Sequence, residues 1–180
     1  MDHDAIILGG GAAGLFCAAV AGQRGRHVLV LEKADAVGKK ILISGGGRCN
    51  FTNLGAGPAN YLSANRHFAK SALARYGPSN FLELVERYQI AWHEKTLGQL
   101  FCDGSAKQIV AMLLDECAKA ESSGGSVEMR TGQDIASVAR DDAAFVVQAN
   151  GEADRAPSLV IATGGPSIPK MGATGFAYDL

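Results

Sequence analysis

An α/β fold, built on a parallel sheet with a small antiparallel meander, follows from three features of the chain. A strand, a glycine turn, a helix and a second strand succeed one another between Ala5 and Glu32. A late, wholly apolar strand, Leu159 to Ala162, is of the kind buried on both faces of a parallel sheet. Between them Ile135 to Arg140 and Ala144 to Ala149 read as short strands, and Asn150-Gly151 is a strong hairpin turn.

The opening unit carries chemistry. Ala5 to Leu8 is a short apolar run, Gly9, Gly10 and Gly11 turn the chain, and Ala12 to Gln23 places small and apolar residues at helical spacing. His27 to Leu31 then runs apolar and ends on Glu32, 23 positions after Gly9. This is a Rossmann-like dinucleotide fingerprint. Gly9 lets the chain leave the strand tightly, Gly11 lets backbone approach a pyrophosphate, and Gly14 lets the helix pack on the strand with no Cβ between them. The anion is expected on the free N–H groups at the positive end of the helix beginning near Ala12. Glu32 is placed to accept hydrogen bonds from the hydroxyls of an adenosine ribose, and it repels a 2′-phosphate, which argues against NADP at this site. Ala18, Gly25 and Val28 fall at the remaining fingerprint positions, so the match spans 24 residues in its proper strand and helix context. That context outweighs the alternative of a glycine turn with no ligand.

Further along, Ser44-Gly45-Gly46-Gly47-Arg48-Cys49-Asn50 offers successive residues that tolerate positive φ, from which backbone N–H groups can converge into an anion-binding nest. A plain surface turn has the same composition. Arg48 is then either a fixed cation beside a bound group or a solvated loop arginine. A helix is expected from Arg66, with Phe68, Ala72, Leu73 and Tyr76 on one face, broken at Gly77-Pro78. A second, capped by Ser79, has Phe81, Leu82, Val85 and Tyr88 as its stripe, and these aromatics are read as core. Ala91 to Lys95 and Gln99 to Cys102 are short strands around Gly98, with Trp92 and His93 read as structural because neither has a visible partner for a site. Ser105 caps a helix over Ala106 to Glu121 that buries Ile109, Val110, Leu113, Leu114 and Cys117 and stops at Ser122-Ser123-Gly124-Gly125. Ser126 to Arg130 follows as a strand.

Composition narrows the partners. With 180 residues, 47% hydrophobic and 19% charged, the chain can bury a core. Seventeen basic against eighteen acidic residues leave a net charge of −1, which supplies no electrostatic case for nucleic acid or an anionic membrane. No apolar run reaches bilayer length and the first residues lack a basic then hydrophobic region, so a cytoplasmic location is expected. Cys17, Cys49, Cys102 and Cys117 are widely spaced, which indicates neither a metal site nor a disulfide framework, and Cys17 and Cys117 are read as small buried hydrophobes.

The glycine turn, Glu32, the meander and the Leu159-Val160-Ile161-Ala162-Thr163-Gly164 strand end resemble the two-dinucleotide-binding-domains flavoproteins. Lys40-Ile41-Leu42-Ile43-Ser44-Gly45-Gly46-Gly47-Arg48-Cys49-Asn50 with Ala162-Thr163-Gly164-Gly165 resembles, more narrowly, the BaiN/YhiN-like family of FAD-dependent oxidoreductases. The resemblance implies a non-covalent FAD. Gly9, Gly11, Ala13 and Gly14 would take the pyrophosphate and Glu32 the ribose. Ser44, Gly45, Gly46, Arg48 and Cys49 would line the flavin side, Ile135 would offer backbone to the adenine, and Thr163 with Gly164 would close over the cofactor. Lys33, Lys40 and Ala162 complete the implied cofactor-binding set. The family includes members linked to reduction of conjugated carbon–carbon double bonds in bile-acid metabolism, so a small organic substrate is expected.

The chain departs from the family pattern at Gln99-Leu100-Phe101-Cys102, where Arg-x-Phe-Pro is common, and at Ala177, where a glycine usually precedes the tyrosine. Family members run to about twice this length, so residues 1–180 are expected to be the N-terminal portion of an FAD-binding domain, without the substrate domain and the C-terminal segment that covers the flavin. With one dinucleotide fingerprint present, NADH or NADPH would serve only as a transient electron donor. No side-chain acid or base takes a catalytic role, and Cys49 is read as a neutral lining thiol. Three rivals remain: a nicotinamide-dependent dehydrogenase, a tRNA-modifying flavoprotein disfavoured by charge and by the glycine loop, and a non-catalytic FAD-binding fragment. Oligomeric state is left open.

Overall fold

In chain order the elements are β1 (Ala5–Leu8), α1 (Ala12–Gly22), β2 (His27–Leu31), α2 (Lys39–Ile43), β3 (Asn50–Asn53), α3 (Lys70–Arg75), α4 (Pro78–Arg87), β4 (Trp92–Glu94), β5 (Gln99–Cys102), α5 (Lys107–Ala118), β6 (Ser126–Arg130), β7 (Ile135–Arg140), β8 (Phe145–Ala149), β9 (Glu152–Ala156) and β10 (Ser158–Ile161). The computed structural model describes residues 3–165. It divides into one unit formed by residues 1–40 and 113–180 and another formed by residues 41–112.

The first unit is a layered α/β structure. Its parallel sheet has the order β10-β1-β2-β6, with Ala5 opposite both Ser158 and Val28, and His27 opposite Ser126. Successive strand residues face opposite sides, so the apolar runs feed two cores. Ile6, Leu8, Leu29 and Leu31 point one way and pack on Val147, Ala149 and Ala156 of the antiparallel β7-β8-β9 meander. Ile7, Val28 and Val30 point the other way, onto Ala18 and Ala19 of α1 and Cys117. Each of the fully buried Ile and Leu side chains contributes about 1.5–3 kcal/mol by leaving water. The α/β class, the parallel sheet and the meander are all as expected.

β9 carries no apolar alternation, only Glu152-Ala153-Asp154-Arg155-Ala156, yet the Asn150-Gly151 turn folds it back on β8 with Val147 opposite Asp154. Arg130 of β6 reaches Asp154 with Nη1 at 2.9 and 3.0 Å from the two carboxylate oxygens, which ties the meander to the parallel sheet.

The second unit is built round an antiparallel sheet of order β3-β5-β4. β3 is a strand the sequence pattern did not reveal, because Asn50-Phe51-Thr52-Asn53 is short, polar and bulged between Asn50 and Thr52. α3 begins at Lys70 and not near Arg66, so Phe68 sits in a turn and is 70% exposed instead of in the core. α4 starts one residue earlier than Ser79, because Pro78 suits the first helical position and Asn80 Oδ1 accepts the Gly77 N–H at 2.9 Å. It buries Leu84 and Val85, and Phe81 meets Phe51 with ring centroids 6.2 Å apart. In α5 Met112 takes a buried place while Leu114, one step round the helix from Leu113, is 36% exposed. The helix gives way to a 3-10 turn over Lys119–Ser123. Cys117 is buried as expected, whereas Cys17 is only half-buried. Residues 172–180, including Ala177, lie outside the described residues. Among the described residues no helix is long and apolar enough to cross a membrane.

Candidate functional site

In the first unit the glycine turn has the form a pyrophosphate needs. Gly9 has φ +107°, and a Cβ there would lie 2.6 Å from the carbonyl oxygen of Ala162. A Cβ at Gly14 would collide with the Gly9 carbonyl oxygen, so helix and strand approach as closely as the fingerprint requires. At Gly11 a Cβ would meet nothing within 4 Å, so the backbone at this glycine is open to approach. The first intrahelical bond runs from Leu15 N–H to the Gly11 carbonyl at 2.9 Å. The N–H groups of Ala12, Ala13 and Gly14 therefore have no acceptor within the helix, no acidic side chain occupies its first turn, and Ala12 and Ala13 at its positive end are exposed. This combination fits a pyrophosphate.

Glu32 stands just past β2. Its Oε2 accepts the Gly10 N–H at 2.6 Å and its Oε1 accepts the Ala34 N–H at 2.7 Å. Both oxygens are thereby fixed in position, each with a lone pair left for a ribose hydroxyl. The carboxylate thus has a structural task besides the expected ligand contact, pinning the middle of the glycine turn. Gly10 was read only as part of the turn and Ala34 was not singled out in the sequence; the only signal for this role was their place beside Gly9 and Glu32.

The end of β10 arrives at the same turn. Ala162 N–H donates to the Leu8 carbonyl at 2.8 Å, and its own carbonyl abuts Gly9. Thr163 and Gly164 follow, Gly164 with φ +75°, and Lys40 Nζ donates to the Gly165 carbonyl at 3.3 Å. Gly9, Gly11, Ala13, Gly14, Glu32, Lys40, Ala162, Thr163 and Gly164 are therefore gathered at the carboxyl ends of β1, β2 and β10. Ile135 opens β7 two residues after Gln133, whose N–H donates to the Glu32 carbonyl at 2.9 Å, and its side chain packs on the sheet core. Lys33 points elsewhere: it is exposed and pairs with Asp134 at 3.1 Å.

In the second unit Ser44–Gly47 forms a tight 3-10 turn in which Gly45, Gly46 and Gly47 all take positive φ, at 60°, 68° and 85°. Cys49 follows with φ 50°, a strained value for a side-chain-bearing residue. The turn is held from inside: Ser44 Oγ accepts the Asn50 N–H at 3.1 Å and the Ser44 carbonyl accepts the Cys49 N–H at 2.9 Å. A Cβ at Gly45 would collide with the Phe101 ring at 2.5 Å, so this glycine serves packing, while Gly46 is open and Arg48 exposed. Burial pushes the Cys49 thiol up against the opposing hydrogen bond from Ser44, which favours the neutral form. Cys102, fully buried, is pushed up to about 11 by burial, with Cys49 and Asp103 adding to the effect. His93, read as structural, places Nδ1 2.6 Å from Asp103 Oδ1 and stacks on Phe101 at 6.1 Å.

Known proteins extend this picture. The chain is 55% identical over 177 residues to the ribosomal RNA dihydrouridine synthase of Escherichia coli (strain K12), covering 98% of this chain and 43% of that protein. It is 30% identical over 178 residues to the 3-dehydro-bile acid delta(4,6)-reductase of Clostridium scindens, covering 97% of this chain and 42% of that protein. It therefore spans less than half the length of these relatives. Among solved structures, the 3-ketosteroid-delta4-(5alpha)-dehydrogenase of Rhodococcus jostii RHA1 superposes with a TM-score of 0.63 at 18% identity, covering 91% of this chain and 46% of that one. Halogenase PltM in complex with phloroglucinol and FAD superposes with a TM-score of 0.50 at 22% identity, covering 96% of this chain and 37% of that one. These structures share the fold. The expectation that nucleic acid is excluded finds no support among relatives, one of which is named for ribosomal RNA. Residues 3–180 match the HI0933-like protein Rossmann domain, and the chain belongs to that family, the FAD-binding BaiN/YhiN-like flavoproteins.

Proposed function

We propose that this chain is the FAD-binding part of an oxidoreductase that reduces a carbon–carbon double bond conjugated to a carbonyl, and that the substrate is a uridine in ribosomal RNA. The observation that carries this reading is 55% identity, over nearly the whole chain, to a ribosomal RNA dihydrouridine synthase. Dihydrouridine differs from uridine by saturation of the ring double bond next to a carbonyl. The bile-acid relative, named as a delta(4,6)-reductase of a 3-dehydro compound, works on the same class of bond. Two relatives with unlike substrates thus share one reaction type.

FAD, when bound, supplies two-electron redox chemistry. The protein's part is to bind and orient it. The N–H groups of Ala12, Ala13 and Gly14 hold the pyrophosphate and Glu32 accepts from the adenosine ribose. The Gly45 to Gly47 amides with Arg48 are proposed to stabilise negative charge on the reduced ring. NADH or NADPH is the proposed electron donor, bound transiently.

The test has two stages. The visible spectrum of the purified protein, with chromatography of what heat releases, is expected to show flavin bands and FAD; release of a nicotinamide nucleotide would sink the cofactor assignment. Incubation with an unmodified ribosomal RNA transcript and NADPH is then expected to add two hydrogens to a uridine, read by mass spectrometry. Turnover of a conjugated steroid ketone but not of RNA would move the substrate to the small-molecule class. Bound FAD that no pyridine nucleotide reduces would favour the non-catalytic reading, which the partial coverage of the relatives motivates.

A further inference from the structure

The net charge of −1 conceals a segregation. Residues 36–82 contain no Asp or Glu and six Lys or Arg, at positions 39, 40, 48, 66, 70 and 75. The unit of residues 41–112 holds seven Lys or Arg against four Asp or Glu. Within it, Arg66, Lys70 and Arg75 are exposed and have no ion-pair partner among the described residues. Arg66 Nε donates to His67 Nε2 at 3.3 Å, which steadies the side chain and leaves the terminal guanidinium nitrogens for a bidentate acceptor. Phe68 lies between these cations in sequence and is 70% exposed, and Tyr61 shortly before is 47% exposed. Arg66 to Lys70 covers at most about 14 Å of chain, the span of two or three nucleotides of a single strand.

We propose that the 61–75 segment is a grip for single-stranded RNA, with Arg66, Lys70 and Arg75 on phosphates and Phe68 stacked on an unpaired base. Unpartnered cations meet the backbone charge, and an exposed ring among them is the feature that separates a nucleic-acid surface from a plain anion patch. A duplex hides its base faces, so the aromatic favours the unpaired state. The proposal rests on the RNA-substrate reading above. It adds the surface that holds the strand, which the cofactor residues do not provide.

The test measures fluorescence anisotropy of a short fluorescein-labelled single-stranded RNA of mixed sequence, titrated with the full chain at several salt concentrations. Combined Arg66→Glu, Lys70→Glu and Arg75→Glu is expected to weaken binding at least tenfold and to flatten the salt dependence by about two in log–log slope. Phe68→Ala is expected to weaken binding about tenfold with the salt slope unchanged. Retained flavin and an unchanged circular dichroism spectrum show that each variant is folded; if the triple variant is not, Arg75→Glu alone is used, with about a threefold loss expected. RNA affinity within twofold of wild type in the charge variant overturns the proposal. So does equal loss of heparin binding with Phe68→Ala neutral, which would make the surface a general anion patch. If the wild type converts uridine while the charge variant still binds RNA normally, this surface fails and the substrate reading stands. If RNA binding depends on the surface but no dihydrouridine forms, the surface stands and the substrate reading fails.

Discussion

The two units of this chain are built to opposite specifications. The unit of residues 1–40 and 113–180 carries ten Lys or Arg against fourteen Asp or Glu, and its sheet residues Ile6, Ile7, Leu8, Val28 and Leu29 are fully buried. The unit of residues 41–112 has the reverse charge balance, and it exposes Leu62 at 98%, Leu97 at 88% and Phe68 at 70%. One part spends its apolar residues on a packed sheet whose strand ends carry the proposed cofactor site. The other keeps a small sheet and presents cations and rings to solvent. An average over both, such as the net charge, describes neither.

The contrast can be broken most sharply at the glycine turn. Gly14→Ala is expected to cost about 3 kcal/mol or more and to abolish flavin retention, because the new Cβ would meet a backbone oxygen that cannot yield. Gly11→Ala puts its Cβ in open space, so thermal stability should stay within about 0.5 kcal/mol of wild type while FAD affinity falls at least tenfold. Melting curves beside flavin absorbance separate the two. If Gly11→Ala kept its flavin, the pyrophosphate would not lie on this turn.

A smaller loss is expected from Glu32→Gln. The amide nitrogen would face a backbone N–H where a carboxylate oxygen now accepts, at a cost of about 1–3 kcal/mol in denaturant titrations.

Alkaline pH probes the buried thiols of both units. Cys102 and Cys117 are pushed from about 9 to about 11, chiefly by burial, so the folded state holds their protons more tightly than the unfolded chain. Their contribution to stability is complete below pH about 9 and is lost as pH rises through about 11. Denaturation midpoints followed from pH 8 to 11 should fall, and Cys117→Ala should flatten that fall. The smallest effect is expected at Phe68→Ser, within about 0.5 kcal/mol of wild type, since the ring packs on little. A larger loss would mean that Phe68 belongs to a core after all.

Much of the first unit was legible. β1 and β2 match their predicted runs residue for residue, because uninterrupted apolar strands bounded by glycine have few alternatives. The Asn150-Gly151 turn announced β9 even though the strand itself shows no pattern, since a two-residue turn of that type obliges the chain to pair with itself. The second unit was read less well. Phe68 has helical spacing to Ala72, but the helix starts after it, and apolar spacing alone does not distinguish a ring that packs from one that points into water. The charge segregation was present in the sequence and was obscured by summing over the whole chain.

The sequence by itself determined the local grammar: where the chain must turn, which positions tolerate no Cβ, and that an acid follows β2. These are short-range steric and periodic constraints, felt within a few residues. Tertiary structure alone decided which strands become neighbours. The order β10-β1-β2-β6 brings Ala162 against Gly9 across more than 150 residues, fastens Glu32 to Gly10, and joins Arg130 to Asp154. Such pairings depend on how the chain closes on itself, where register and burial are settled jointly by distant segments, and no local pattern encodes them.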